Sequence, residues 1–319
     1  MNANNHNETH VILGSGPVGL SLADLLIARG KKVRLVSRSG KANAPAGVEV
    51  RAANAMDPTV LAELCSDAAV VYHCMNAPSY AEQVEIIPKM QKVLIPVVGA
   101  SGASLIVTDT LYMYGQTHGK VMTEDSPYNA TSRKGMMRAQ VARDFLKAHK
   151  EGKVRVALGR AADFYGPGVT NSSLGYTVFP PIMAGKPAQV LGNINLPHSY
   201  SYIKDVARGL ATLGEKEEAL GQEWLLPVVP AVSVRKMLDL VQEDLGSPVR
   251  TQAIPKFAVQ AIGLFNPTMR ELVEMFYQYT EAQIVDSSRF EAAFGWKATP
   301  LEDGIRETVA WFRQSSASK

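Results

Sequence analysis

Apolar residues recur along this chain in two rhythms. His10-Val-Ile-Leu13 is a short apolar run, and from Pro17 to Arg29 apolar positions return every three or four residues, up to Gly30. Lys32-Val-Arg-Leu-Val36 goes back to a compact strand-like run. The first rhythm predicts a strand and the second an amphipathic helix closed by glycine, so the chain opens as a β-α-β unit. Further strand patterns lie at 48–51, 69–73, 94–98, 104–108 and 154–158, with helical patterns near 58–65, 79–92 and 132–149. This alternation predicts an α/β protein, a doubly wound parallel sheet with helices on both faces.

After about residue 167 the pattern loosens and Pro and Gly become frequent, before helical spacing returns at 205–213, 234–245, 269–279 and 301–312. Residues 10–166 are therefore expected to form a dinucleotide-binding unit that shares later elements near 199–229. Residues 167–313 are expected to form a smaller C-terminal substrate-binding lobe, and 1–9 and 314–319 to be a disordered tail and a frayed end.

Composition narrows the class. The chain has 319 residues, 46% hydrophobic and 20% charged, which suits a globular protein with a sizeable core. Its net charge of +3 is too small and too dispersed to point to nucleic acid or an anionic membrane as partner. No apolar run reaches the roughly 18 residues of a membrane span. Cys65 and Cys74 have no metal-ligand spacing, so neither a metal site nor a disulfide scaffold is expected, and a reducing cytoplasm is.

Gly14, Ser15, Gly16, Pro17, Val18 and Gly19 form G-x-G-x-x-G between the first strand and the first helix. In that context the motif predicts a dinucleotide site. Gly14 makes the tight turn, Gly16 admits the pyrophosphate to the backbone, and Gly19 lets helix pack on strand. The helix N-terminus then offers its N–H groups to phosphate. NAD-binding versions place an acid about 20 residues further on. Here Ser37 and Arg38 stand there, with Lys41 close by, which favours NADP(H) over NAD(H) because guanidinium meets phosphate in a fork.

Several separated segments then resemble one family, the extended and atypical short-chain dehydrogenase/reductases of the NAD(P)-dependent epimerase/dehydratase group. Asp109-Thr-Leu-Tyr-Met-Tyr-Gly115 is similar to that family's Ser-Ser-x-x-Val-Tyr-Gly segment. Arg160-Ala-Ala-Asp-Phe-Tyr-Gly-Pro-Gly168 resembles its Arg-x-x-x-x-Tyr-Gly-Pro-Gly turn. Tyr202-Ile-Lys-Asp-Val-Ala207 and Phe294-Gly-Trp-Lys-Ala-Thr-Pro-Leu-Glu-Asp-Gly304 resemble later family segments. The resemblance implies a Rossmann-type sheet of about seven strands. It also implies hydride transfer between nicotinamide and a substrate carbon, and a homodimer through the helices near 79–92 and 132–149. Catalysis there uses Ser/Thr, Tyr and Lys, the lysine holding the nicotinamide ribose and lowering the tyrosine pKa.

Thr110 matches the Ser/Thr, but the family's Tyr-x-x-x-Lys is broken. Tyr200-Ser-Tyr-Ile-Lys204 has the spacing in the wrong segment and reads as coincidence. In Ser126-Pro-Tyr-Asn-Ala-Thr-Ser-Arg-Lys134, Tyr128 precedes Lys134 by six residues, about 600° of helix, and Ala130 stands where the tyrosine belongs. Either the helix starts near Thr131 and Tyr128 approaches from a loop, or Lys134 only holds ribose and another acid such as Tyr114 or Tyr165 serves, or none does. Asn76, after the fourth strand, is a further candidate cofactor contact.

Nucleotide-sugar members grip the diphosphate with arginines. The position of one is His198 here, and Glu281-Ala-Gln-Ile-Val-Asp286 offers no match for the other, leaving Arg270 or Arg289 as substitutes. Asp163 and His198 become candidate substrate contacts. The favoured reading is an NADP(H)-dependent oxidoreductase acting on a small carbonyl or alcohol. A nucleotide-sugar epimerase or dehydratase and a non-catalytic NADP(H) sensor are the alternatives.

Overall fold

The structure, a computed structural model, describes residues 9–317. Its centre is a seven-stranded, wholly parallel sheet. The strands are β1 (Thr9–Leu13), β2 (Lys32–Ser37), β3 (Glu49–Ala52), β4 (Ala68–His73), β5 (Ser104–Asp109) and β6 (Arg155–Arg160), with a late seventh, Glu223–Leu225. They lie in the order β3-β2-β1-β4-β5-β6 and then the late strand, so the direction of winding reverses between β1 and β4. Ligands of such sheets bind beyond the carboxyl ends of the strands at that reversal.

The period of two in each strand sorts its side chains between two cores. Val11, Leu13, Val71, Leu105, Val107, Val156 and Leu158 face α2 (Pro58–Cys65), α3 (Gln83–Ser101) and α4 (Arg133–Lys150). Ile12, Val70, Tyr72, Ile106 and Ala157 face α1 (Pro17–Ala28) and the helix Ile203–Glu215. Both faces are covered, as a parallel sheet requires.

The run at 94–98, read as a strand, lies inside α3, which continues through Pro88 and Pro96. Ile87, Met90, Leu94 and Val98 are buried at helical spacing, and a short, wholly apolar run does not reveal which period it belongs to. Thr9, placed in the tail, is the first residue of β1, while residues 1–8 lie outside the described part.

Beyond the sheet the chain forms β7 (Asp163–Tyr165), α5 (Phe179–Met183), β8 (Ala188–Leu191), β9 (Tyr200–Tyr202), α6 (Ile203–Glu215) and β10 (Glu223–Leu225). After these come α7 (Val234–Leu245), β11 (Thr251–Ile254), α8 (Lys256–Gly263), α9 (Pro267–Glu274), α10 (Ser288–Phe294) and α11 (Leu301–Ala317). β7 pairs with β9, β8 with β11, and a third core gathers α5, α7 and α11 around them. The 314–317 stretch, expected to fray, continues α11, and Ser318 and Lys319 lie outside the described residues. No helix among the described residues is long and apolar enough to cross a membrane.

Candidate active site

At the reversal point β1 ends on the glycine turn. The Gly14 N–H donates to the Val36 carbonyl at 2.9 Å, and the Cys74 N–H donates to the Leu13 carbonyl at 2.9 Å, tying the turn to both neighbouring strands. Gly14 sits at φ +109°, where a Cβ would come 2.8 Å from the Cys74 oxygen. A Cβ on Gly19 would come 2.0 Å from the Gly14 oxygen, so helix and turn touch backbone to backbone. Gly16 caps α1 with open space around it, Pro17 takes the first helical position, and no side chain caps the helix. Ser15 and Val18 complete the turn. An uncapped helix end in open space beside the reversal fits a dinucleotide pyrophosphate.

Ser37 closes β2, its Oγ accepting from the Gly40 N–H at 3.1 Å. Arg38 follows, exposed and free of any ion pair among the described residues. Asn76 is exposed, its Oδ1 accepting from the Ala77 N–H at 2.8 Å and from Gln83 Nε2 at 3.4 Å. Thr110 begins the turn after β5, where its Oγ1 accepts from the Tyr112 N–H at 3.4 Å.

Helix α4 is capped by Ser132, one residue after Thr131, whose Oγ accepts from the Gly135 N–H at 3.1 Å. Lys134 is thereby in the first turn and fully buried. Its ammonium donates to Glu271 of α9 and stands 4.4 Å over the ring of Tyr80. Arg133 also bonds Glu271, and its N–H bonds Glu274. Burial alone would raise the Glu271 carboxyl, but the charges of Lys134 and Arg133 bring it below the usual carboxylate range.

Tyr128 does lie in a loop, but its hydroxyl is committed elsewhere. It donates to Glu223 and accepts from Arg160. Arg160, fully buried, reaches Glu223 at 2.6 Å, Asp109 at 3.3 Å and the Tyr114 hydroxyl at 2.7 Å. Burial pushes the Tyr128 phenol up and that of Tyr114 up to about 12. Expected as a proton donor beside Lys134, Tyr128 instead completes the shell of a buried guanidinium, whose many donors must all be met. Tyr114 is spent in the same shell, and Tyr165 packs under Gly304 in the third core. Tyr200 lies on β9 while Lys204 starts α6 and pairs with Glu307, so they do not share a helix face.

Tyr80, Tyr112 and Tyr279 gather with Tyr200 around Asp163. Tyr80 follows β4 and its hydroxyl faces that of Tyr112. Tyr200 and Tyr279 complete the group around Asp163, whose charge raises all four phenols further above what burial does. Asp163 Oδ2 is 3.4 Å from His198 Nε2 and accepts from Ser173 Oγ at 2.8 Å. Burial would raise the Asp163 carboxyl, but His198 and Ser173 hold it below the usual range. The His198 ring stacks on Tyr200 at 4.6 Å. A small cleft of about 20 Å³ opens beside them, lined by Asn193, His198, Tyr200, Gln278, Tyr279 and Glu281 among others, with no lysine or arginine in its wall. The suggested substitutes do not reach it. Arg289 bonds Gln222 and lies 4.8 Å over Trp224, and Arg270 bonds the carbonyls of Gly263 and Leu264. Tyr80, Tyr112 and Tyr279 went unnoticed in the sequence because no short motif joins them.

Several solved structures share this architecture. UDP-glucuronic acid 4-epimerase from Bacillus cereus, in complex with UDP-glucuronic acid and NAD, matches with a TM-score of 0.78 at 15% identity, over 96% of this chain and 99% of that one. An epimerase from Methanothermobacter thermautotrophicus matches at 0.81 and 14% identity, over 98% and 94%. dTDP-glucose 4,6-dehydratase from Bacillus anthracis, in complex with NAD, matches at 0.79 and 14% identity, over 97% and 98%. No curated protein matches the sequence significantly. The family model for the NAD dependent epimerase/dehydratase family matches residues 11–225, which is most of the chain and takes in part or all of each of the seven central strands. With the glycine turn placed at the reversal of a seven-stranded parallel sheet, the chain belongs to the NAD dependent epimerase/dehydratase family.

Proposed function

We propose that the protein binds NADP(H) at the glycine turn and transfers hydride to or from a small, uncharged carbonyl or alcohol. The observation that carries this reading is the wall of the cleft, which combines tyrosines, His198 and Glu281 with no arginine or lysine. A diphosphate buried there would meet no cation. The bound nicotinamide would supply or accept the hydride. The chain's own residues do the rest. The α1 N-terminus holds pyrophosphate, Arg38 meets a 2′-phosphate, and Lys134, once released by Glu271, bonds the ribose hydroxyls. Thr110 and Tyr112, on the turn after β5, orient the substrate oxygen, and Tyr112 passes its proton. His198 and Asp163 position the far side of the substrate.

A second reading, epimerisation or dehydration of a nucleotide-linked sugar, is favoured by the family match and by the neighbours, whose structures hold UDP sugars and NAD. The two are separated by one experiment. Oxidation of NADPH on a panel of small carbonyls, with no measurable affinity for UDP or dTDP, supports the first. Tight nucleotide binding and no turnover of small carbonyls supports the second, and cofactor binding without either leaves a sensor. A homodimer through α3 and α4 also remains our reading. Outward on α4 stand Arg133, Met136, Gln140, Arg143 and Lys147, and light scattering at micromolar concentration tests it.

A further inference from the structure

The α8–α9 hairpin is anchored firmly at its ends and lightly between them. At one end β11 pairs with β8, and at the other Met275 and Phe276 are buried. Between these, no residue of α9 is buried, and of α8 only Val259 and Gly263 are. Gly263 packs within the hairpin, since a Cβ there would come 3.1 Å from the Arg270 backbone. The large apolar side chains of the hairpin, Phe257, Leu264 and Phe265, lie exposed, so their burial contributes little to holding it in place.

The hairpin meets the head of α4 through charge. Glu271 accepts from the buried ammonium of Lys134 and from the exposed guanidinium of Arg133. Glu274 accepts from the Arg133 N–H and stands 3.9 Å from the Arg133 Nε. Beside these bonds, between the hairpin and the head of α4, lies a polar pocket of about 250 Å³. Gln116, Thr131, Ser132, Lys256, Glu274 and Tyr277 are among the residues that line it. A segment with few buried apolar groups and a polar space beneath it opens at lower cost than a packed sheet.

We infer, given Lys134 as the ribose ligand proposed above, that the α8–α9 hairpin is a gate over the cofactor site, latched by Glu271 and Glu274 until the ribose takes the ammonium. Ribose and carboxylate compete for one cation, so the hairpin must swing about its anchored ends before Lys134 is free. Once Lys134 has changed partner, the two glutamates keep only Arg133, and an exposed ion pair is a weak hold. The closed fraction of the free protein therefore slows entry of the cofactor.

Hydrogen exchange of the full-length protein, with and without NADPH, tests this together with stopped-flow binding. Residues 256–274 are expected to exchange faster once NADPH is bound, while the glycine turn and α1 exchange more slowly. NADPH should associate about tenfold faster with Glu271→Gln, because the open fraction rises. Arg133→Gln breaks only the exposed half of the latch and leaves no charge buried. It should speed association about threefold, the worth of an exposed ion pair, although losing a cation by itself would slow the approach of an anionic cofactor. Unweakened NADPH binding by Lys134→Ala overturns the ribose reading and the gate with it. Weakened binding by Lys134→Ala, with hairpin exchange unchanged or slowed by NADPH and both other variants associating at the parent's rate, overturns the gate alone.

Discussion

Glu271 of α9 holds the buried ammonium of Lys134 at the head of α4, across 137 residues of sequence. The lysine assigned to the cofactor ribose is therefore already paired, and α9 lies against the site. If Lys134 bonds the cofactor ribose as we propose, it must exchange Glu271 for the ribose hydroxyls.

Glu271→Gln leaves a buried ammonium without its carboxylate, a change that costs about 3–5 kcal/mol. The cofactor-free variant should melt several degrees lower, and saturating NADPH should recover more of the loss than it adds to the parent. Lys134→Ala should weaken NADPH binding and turnover together. Equal melting of Glu271→Gln and parent, by calorimetry without cofactor, would show that the pair is open in solution.

Tyr128→Phe removes one hydroxyl from the shell of Arg160 and should cost about 1–3 kcal/mol of stability. Turnover should stay within a few-fold. Tyr112→Phe should cost stability only through its hydrogen bond with Tyr80 and should cut the chemical step by roughly 10²–10⁴. Single-turnover rates and melting curves on both variants check this, and a Tyr128→Phe that melts normally but barely turns over would reverse the assignment.

Two buried histidines set an acid limit on the fold. Burial, helped by the charge of Lys31, lowers the His10 pKa from 6.5 to about 4, and burial with Arg138 lowers that of His73 to about 3. The unfolded chain thus binds more protons between pH 6.5 and about 4, and stability falls as pH drops through that window. Melting temperature should be level above pH 7 and decline below pH 6.5. His73→Leu, which also removes a buried Nδ1 without a partner, should flatten part of that decline.

NADPH should bind at least about ten times tighter than NADH, near 1.4 kcal/mol, if Arg38 meets the 2′-phosphate. Arg38→Ala should narrow the gap by weakening NADPH and sparing NADH, since the side chain is exposed and makes no ion pair among the described residues. Titration by fluorescence decides it, and equal affinities in the parent would return the cofactor to NAD, which the neighbouring structures contain.

Local periodicity alone determined the first β-α-β unit, most strands of the sheet and the glycine turn. In each case the residues that decide the conformation are sequence neighbours. A strand's alternation records two buried faces, and G-x-G-x-x-G records a backbone contact between Gly14 and Gly19 that no Cβ survives. Where two periods share one short apolar run, as at 94–98, the chain was ambiguous until α3 packed against α4.

The chemistry of the site was decided at long range. Tyr128 looks available in the sequence because Arg160 and Glu223, which consume its hydroxyl, are 32 and 95 residues away. Tyr80, Tyr112, Tyr200 and Tyr279 come together only because β4, β5 and β9 end near one cleft. The inverted α8–α9 hairpin carries ordinary amphipathic spacing, and spacing does not say which face turns inward. In the fold Val259 and Gly263 of α8 turn inward and Phe257 outward, while Glu271 and Glu274 of α9 meet Lys134 and Arg133 at long range.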